Sequence, residues 1–426
     1  MLDIRLIREN PSLTKARLSA RGQSLDATID AVLECDADCR LAKTRLQFLH
    51  AERRRLSKQV ERLRRQEGEE LSRVEAISKS LGEEINVLNS RTTELDLRQK
   101  DLLLQLPNFP AEAVPYGTGA LANLVLRSWG TPESGVREDH VAIGKRLGLF
   151  DFDRATKISG SGFLCFTGAG ARLERSLLNF LLDLHTVQHG YLEVSTPLLI
   201  HRECMIGTGQ LPKFEEDMYA TNNSGRLFLT PTAEVPVTNL YRDEVLNISH
   251  LPLCLAAYTP CFRREAGSAG RDTRGMIRLH QFDKVELVKI CAVGDSEQEL
   301  QSLTVDVERV LQLLDLPYRT VELCTGDLGF SASRTYDIEV WSPGQGSFLE
   351  VSSCSNFCDF QSRRMNLRYR DHGGKIRFAH TLNGSGTALP RLYVALLENH
   401  VQPDGSVLLP QSLRGYFQAD CIEPVS

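Results

Sequence analysis

The residues best suited to chemistry lie between Tyr258 and Ile290, YTPCFRREAGSAGRDTRGMIRLHQFDKVELVKI. The stretch reads as two strands joined by a loop of glycines and charges. Alternation puts Cys261, Arg263 and Glu265 on one face of the first arm, opposite Phe262 and Arg264. In the second arm Arg278, His280, Phe282, Lys284 and Glu286 share a face, opposite Ile277, Leu279, Val285 and Leu287. The apolar set reads as the core side. The other set mixes charge with an aromatic ring, which a merely solvated face seldom carries, and reads as a binding floor. Gly267, Gly270 and Gly275 release the backbone around Arg271, Asp272, Arg274 and Arg278. Such a floor suits a ligand with a flat ring, several negative charges and one hydroxyl or amine: a nucleotide together with a small metabolite.

Three other places offer chemistry. In LFLTPTAE, Thr232 and Glu234 stand at the exposed tip of a strand. They either cap a helix over Val235–Tyr241 or grip an amino acid. Residues 337–341 and 348–353 form a hairpin around SPGQG. It ends in Glu350 and Ser353, a hard-oxygen pair that suits Mg²⁺, although carboxylates at strand ends are common without a metal. In TLNGSGTALPRLYVALLENH, Pro390 can sit in a first helical turn and places Arg391 at the positive end of the helix dipole. A cation kept there implies a phosphate partner. Two glycine-rich runs are not phosphate loops: GAGARL has Leu173 at the third glycine position, and NGSG lacks the Lys-Ser/Thr ending.

The elements that must carry these residues fall into two blocks. At 426 residues the chain is long for one domain. Hydrophobic residues at 42% and charged ones at 25% describe a soluble globular protein. No secretory signal or membrane-spanning run is visible, and no membrane partner is expected. Eleven scattered cysteines fit a reducing cytoplasm and free thiols better than disulfides or a zinc site. Before Gly68, apolar residues step by three and four from Val32 to Leu63. The pattern resumes at Leu71 and runs to Leu106. Two such stripes about a polar turn predict an antiparallel helical hairpin, each helix roughly 55 Å long. Ten bases stand against two acids over 40–65, and five against nine over 67–104. Some of that charge pairs across the hairpin. The excess at Arg53, Arg54 and Arg55 and at Arg62, Arg64 and Arg65 suits a phosphate backbone. Leu106-Pro-Asn-Phe-Pro110 breaks the helix and opens a linker to Gly119.

The Tyr258–Ile290 stretch resembles the second signature motif of class II aminoacyl-tRNA synthetases, in the version carried by seryl-tRNA synthetases. The likeness runs from Met1 to about Gly415. Ala171–His189, read as an amphipathic helix, with GYLEVSTPLLI after it resembles the first motif, which implies a homodimer. TLNGSGTALPRLYVALLENH resembles the third. One departure stands out: the family commonly has Arg where Gly162 stands. The resemblance implies an α+β enzyme with a helical tRNA-binding arm over 1–110 and a class II antiparallel-sheet catalytic domain over 111–426. It implies ATP-dependent attachment of L-serine to tRNA(Ser), with tRNA(Sec) left open as a second acceptor. Arg263 would hold the α-phosphate and the serine carboxylate, and Arg391 the γ-phosphate. Phe282 would stack adenine while Glu265 reads its amino group. Arg264, Leu279, His280, Gln281, Val351 and Ser352 complete the ATP site, and Glu350 with Ser353 supports Mg²⁺. Glu286 and Ser385 would read the serine hydroxyl, Thr232, Ala233 and Glu234 the amino end, with Asn383 nearby. Two rival readings are a ligase passing an adenylated amino acid to a carrier protein, and a non-catalytic RNA-binding protein built on a decayed synthetase. The first lacks use for the basic hairpin; the second predicts loss of Arg263, Glu286 or Arg391.

Overall fold

A computed structural model of the chain describes residues 1–63, 68–133, 138–222, 227–266 and 275–424. The contacts divide it into two units: Leu2–Ser19 with Gln23–Pro107, and Met1, Ala20–Gly22 and Asn108–Ser426. Among the described residues no helix is long and apolar enough to cross a membrane.

The smaller unit is built on two long helices, α1 (Asp26–Leu63) and α2 (Glu69–Leu104). Their apolar stripes meet as the periodicity requires: Val32, Cys35, Cys39, Ala42, Leu49 and Leu56 are buried on one, Ile85, Thr92 and Leu95 on the other. Arg53, which falls in the stripe by spacing, is instead exposed. A two-helix seam is narrow, and a long charged side chain can reach water from its edge. Lys43 pairs with Asp96 at 2.7 Å and Arg45 with Glu84 at 2.8 Å across the hairpin. Arg55 pairs with Glu52 at 2.9 Å. Arg53, Arg54 and Arg62 have no ion-pair partner among the described residues. Arg64 and Arg65 lie outside the described residues, as do Gly267, Gly270, Arg271, Asp272 and Arg274.

The larger unit is organised by eight strands: β1 (Leu124–Trp129), β2 (Leu192–Glu193), β3 (Leu253–Phe262), β4 (Gln281–Cys291), β5 (Tyr318–Glu322), β6 (Arg334–Ser342), β7 (Ser347–Cys358) and β8 (His380–Ala388). They lie in the order β1-β5-β6-β7-β8-β4-β3-β2. All neighbours are antiparallel except β2 and β3. One face carries helices α3 (Ala169–Asp183), α4 (Ser296–Leu313) and α5 (Leu389–His400). Their Leu173, Leu177, Leu303, Val307, Leu392 and Leu396 pack with Val285, Leu287, Ile338 and Val351 of the sheet. Burying this face is what holds the sheet, at roughly 25 cal/mol for each Å² of apolar surface removed from water. The other face carries the candidate site.

Three local expectations are corrected. The strand of the second motif arm starts only at Gln281; residues 275–280 form turns and bends. The helix read as Ala171–His189 begins at Ala169, and its last turn widens to a π-turn over Leu184–Gln188. Thr232 and Glu234 are buried, not exposed at a tip. The short helix Glu234–Asn239 that follows them packs Val237 against Leu255, Ala257 and Val288 of the sheet, drawing the loop inward.

Candidate active site

Alternation on β4 sends Val285 and Leu287 into the helical core and leaves Phe282, Lys284 and Glu286 on the opposite face, along a cavity of about 500 Å³. Register then decides which neighbours join them. Cys261 pairs with Phe282 and Ala257 with Glu286, while Ser385 on β8 lies opposite Glu286. Ser355 on β7 faces Asn383. Three strands, β4, β7 and β8, thus present charged and polar side chains together with the Phe282 and Phe357 rings around the same hollow. Arg263, Glu265, Leu279, Glu350, Val351, Ser353, Asn383, Ser385 and Arg391 line it, as do Thr232 and Glu234.

The deep end is a buried ionic knot. Glu286 is 1% exposed and makes an ion pair with Lys284, itself 5% exposed. The Thr232 hydroxyl donates to Glu286 Oε2 at 3.0 Å, the Lys284 ammonium donates to Thr232 Oγ1 at 2.8 Å, and Asn383 Nδ2 donates to Glu286 Oε1 at 3.3 Å. The Glu234 main-chain N–H also donates to Thr232 Oγ1, at 3.2 Å, so this residue serves the helix start and the knot together. Glu234 accepts from Gln361 Nε2 at 2.7 Å. Burial, and then the charge of Glu286, push the Glu234 carboxyl up to about 7. A buried carboxylate without a full counter-charge is what an incoming ammonium group would satisfy.

The open end is cationic and flat. The Arg263 guanidinium lies 5.3 Å from the Phe282 ring centroid and donates to the Pro231 carbonyl at 3.2 Å. Arg278 pairs with Glu265, which adopts φ +52° just beyond the end of β3. Arg391 donates to the Glu350 carbonyl at 2.7 Å and pairs with its carboxylate at 3.3 Å. Cys261, the cross-strand neighbour of Phe282, is fully buried, and burial pushes its thiol up, so it offers no thiolate nucleophile.

Five sequence-stretch candidates do not line the cavity. Ala233 is buried in the packing under the sheet. Arg264 donates its main-chain N–H to Asp217 at 2.8 Å. Gln281 is exposed. The Ser352 hydroxyl ties β7 to β8 by donating to the Ser385 carbonyl at 2.6 Å. His280 turns away to stack on Phe163, with ring centroids 5.3 Å apart, and Nδ1–H donates to the Arg263 carbonyl at 3.0 Å. Its main-chain N–H donates to the Gly162 carbonyl at 2.8 Å. Gly162 has φ +81°, and a Cβ there would meet His280 Cδ2 at 2.3 Å, so a larger residue would require this ring to move.

Lys284 and Gln361 were not singled out as site residues. Lys284 sat on the legible face with Phe282 and Glu286. Gln361 had no local signal, because it lies 127 residues from Glu234.

Comparison with known proteins bears on this geometry. Residues 1–110 match the family described as the seryl-tRNA synthetase N-terminal domain, and 213–400 the tRNA synthetase class II core domain (G, H, P, S and T). Over 425 residues the chain is 56% identical to a serine–tRNA ligase of Akkermansia muciniphila, covering 100% of this chain and 99% of that one. The chain belongs to the seryl-tRNA synthetase family. A serine–tRNA ligase of Thermodesulfovibrio yellowstonii is 48% identical over 99% of the chain and 100% of its own length. Among solved structures, a seryl-tRNA synthetase from Pyrococcus horikoshii complexed with ATP superposes with TM-score 0.93 at 36% identity, each chain covered fully. A cytoplasmic serine–tRNA ligase from Naegleria fowleri in complex with AMP gives 0.87 at 28%, over 100% of this chain and 99% of that one. The α+β class II architecture with a helical hairpin is therefore that of the family.

Divalent-ion chemistry can be tested against the residues present. Glu350 and Ser353 line the cavity from one strand, and Asp337 lies opposite Ser353 on β6 with a buried Oδ1 that has no partner among the described residues. Burial, and next the charge of Glu350, push the Asp337 carboxyl well above the usual range. A divalent ion beside Glu350 would offset the repulsion that keeps Asp337 protonated, and hard oxygen donors of this kind fit Mg²⁺.

Proposed function

We infer that this chain joins L-serine to tRNA(Ser) at the expense of ATP, through a seryl-adenylate. The observation that carries the reading is the polarity of one cavity. Its deep end holds Glu286 and Glu234, suited to a hydroxyl and an ammonium group; its open end holds Arg263, Phe282 and Arg391, suited to phosphates and a flat base.

On this reading the serine carboxylate attacks the α-phosphorus in line. The bond to the bridging oxygen breaks and pyrophosphate leaves. The terminal hydroxyl of tRNA then attacks the seryl carbonyl and AMP leaves. The attacking carboxylate is already ionised, so the protein needs no nucleophile and works by placement and charge. Arg263 holds the α-phosphate and the carboxylate, and Arg391 the γ-phosphate. Phe282 stacks the adenine and Glu265 takes its amino group. Glu286, with Ser385 and Asn383 beside it, receives the serine hydroxyl, and Glu234 with Thr232 the ammonium. Glu350 and Ser353 would hold Mg²⁺, which when bound neutralises phosphate charge. The division at about residue 110 gives an arm for tRNA and a catalytic domain. Arg53, Arg54, Arg55 and Arg62 on α1 supply the phosphate contacts, with Arg64 and Arg65 beyond them.

A homodimer in the cytoplasm completes the reading, with tRNA(Sec) open as a second acceptor. The exposed Val187 and Leu192 at the β2 edge suit burial against a second copy. Serine-dependent exchange of pyrophosphate into ATP tests the function. Exchange with serine and little with alanine or threonine is expected; exchange indifferent to the amino acid overturns the assignment.

A further inference from the structure

A buried chain of hydrogen bonds, unused in the mechanism above, joins the two ends of the nucleotide wall. It starts at Glu398 on α5, seven residues and about two helical turns beyond Arg391. Glu398 is 0% exposed. Its Oε1 accepts from the His140 main-chain N–H at 3.0 Å and faces His140 Nδ1 at 3.0 Å. Its Oε2 accepts from the Gly344 N–H at 3.0 Å and from the Ser342 hydroxyl. Four donors compensate the desolvation of this carboxylate. Because a carboxylate only accepts, Nδ1 carries the ring proton, and in the neutral ring Nε2 is left as an acceptor. It receives the main-chain N–H of Met276 at 3.3 Å.

Met276 belongs to the wall of the cavity, together with Ile277 and Leu279. The Ile277 carbonyl faces Arg391 Nε at 3.5 Å. Helix α5 therefore reaches the 276–279 segment twice, directly through Arg391 and indirectly through Glu398 and His140. Gly275 shows how close the approach is: at φ +68°, a Cβ there would stand 2.1 Å from His140 Nε2. His140 itself is 2% exposed and does not line the cavity.

We propose that His140 is a positioning residue for the nucleotide end of the site: its neutral ring, oriented by Glu398, holds the Met276 backbone so that the 276–279 wall stays registered with Arg391. The proposal rests on reading this cavity as the ATP site. It touches no reacting atom, so it predicts an effect on ATP binding and none on serine.

The competing account is a buried His–Glu pair that only holds the fold. Two substitutions separate them. His140→Asn keeps a donor where Nδ1 was, for Glu398, but is too short to reach Met276. His140→Gln carries an amide oxygen to where Nε2 was and restores the acceptor for Met276, while Glu398 loses its ring donor. ATP and serine affinities are measured by calorimetry on the full chain, with thermal unfolding in parallel. Loss of one buried hydrogen bond predicts ATP binding weakened roughly tenfold in His140→Asn, with serine affinity within twofold of wild type. His140→Gln should recover most of the ATP affinity at a lower melting temperature. If both variants lose melting temperature while ATP affinity holds, or if ATP and serine affinities fall together, His140 is structural and the proposal fails. Serine-dependent exchange measured on the wild type keeps the questions apart: its absence overturns the proposed function, whereas intact exchange with an unchanged ATP affinity in His140→Asn overturns this inference alone.

Discussion

Glu234→Gln should make the protein more stable and a worse enzyme, and pH should separate the two effects. The Glu234 carboxyl is buried beside Glu286 and lifted from 4.5 to about 7. A group that holds its proton more tightly in the fold than in the unfolded chain favours the fold when neutral. Stability is fully present below about 4.5 and declines as pH rises toward 7. Above that, the ionised group costs the native state about 3 kcal/mol. Glutamine keeps an oxygen for Gln361 Nε2 and carries no charge. Denaturant unfolding should find the two proteins closely matched near pH 4.5 and the variant more stable at pH 8, by up to about that amount. Serine binding should move the other way, since an ammonium group prefers the carboxylate form. Wild-type serine affinity should strengthen between pH 6 and 8, with proton release visible as a buffer-dependent heat. The variant should show no such trend and should bind serine about 10- to 100-fold more weakly at pH 8, the usual worth of a charged hydrogen bond. A stability gap that is the same at pH 4.5 and pH 8 would refute the electrostatic argument. A wild-type serine affinity that is flat over pH 6–8 would refute the ammonium assignment.

Three further outcomes are expected. Glu286→Ala should lower kcat/KM for serine strongly while leaving alanine nearly unchanged, collapsing a ratio that a site built to read a hydroxyl sets at roughly 10⁴–10⁵; equal losses for both amino acids would mean that Glu286 reads something they share. Arg391→Ala should slow pyrophosphate exchange by about 10² or more with little change in melting temperature; early melting with normal turnover would make its contacts to Glu350 structural. Replacing residues 30–103 by a short linker should leave serine activation near normal and abolish charging of tRNA, and neutralising Arg53, Arg54 and Arg55 should flatten the salt dependence of tRNA binding by up to about 0.9 per lost phosphate contact. An armless protein that still charges tRNA at full rate would count against the arm as the tRNA contact.

The sequence by itself determined the elements whose signal is periodic. The stripes from Val32 and from Leu71 specify two helices, because an apolar seam must repeat every three or four residues to meet its partner. The alternation of Phe282, Lys284 and Glu286 with Val285 and Leu287 specifies which face of β4 meets the core, because successive side chains on a strand point to opposite sides. Pro390 before Arg391 placed that cation in a first helical turn, as observed. Resemblance in motif, not periodicity, pointed to serine and ATP.

Tertiary structure decided what no local pattern encodes. The loop with Thr232 and Glu234 looked solvent-facing, as short polar runs after a strand usually are. It is buried because the Glu234–Asn239 helix packs beneath the sheet and Gln361 arrives from 127 positions away. Lys284 became part of the ionic knot because Thr232 and Glu286 converge on it, two side chains 54 residues apart. His280 left the binding face that alternation assigned it because β4 begins one residue later, and Gly162 leaves room for the ring to turn outward. Faces follow from a two-residue period within one strand. Partners follow from register between strands and loops distant in sequence, which only the assembled sheet sets.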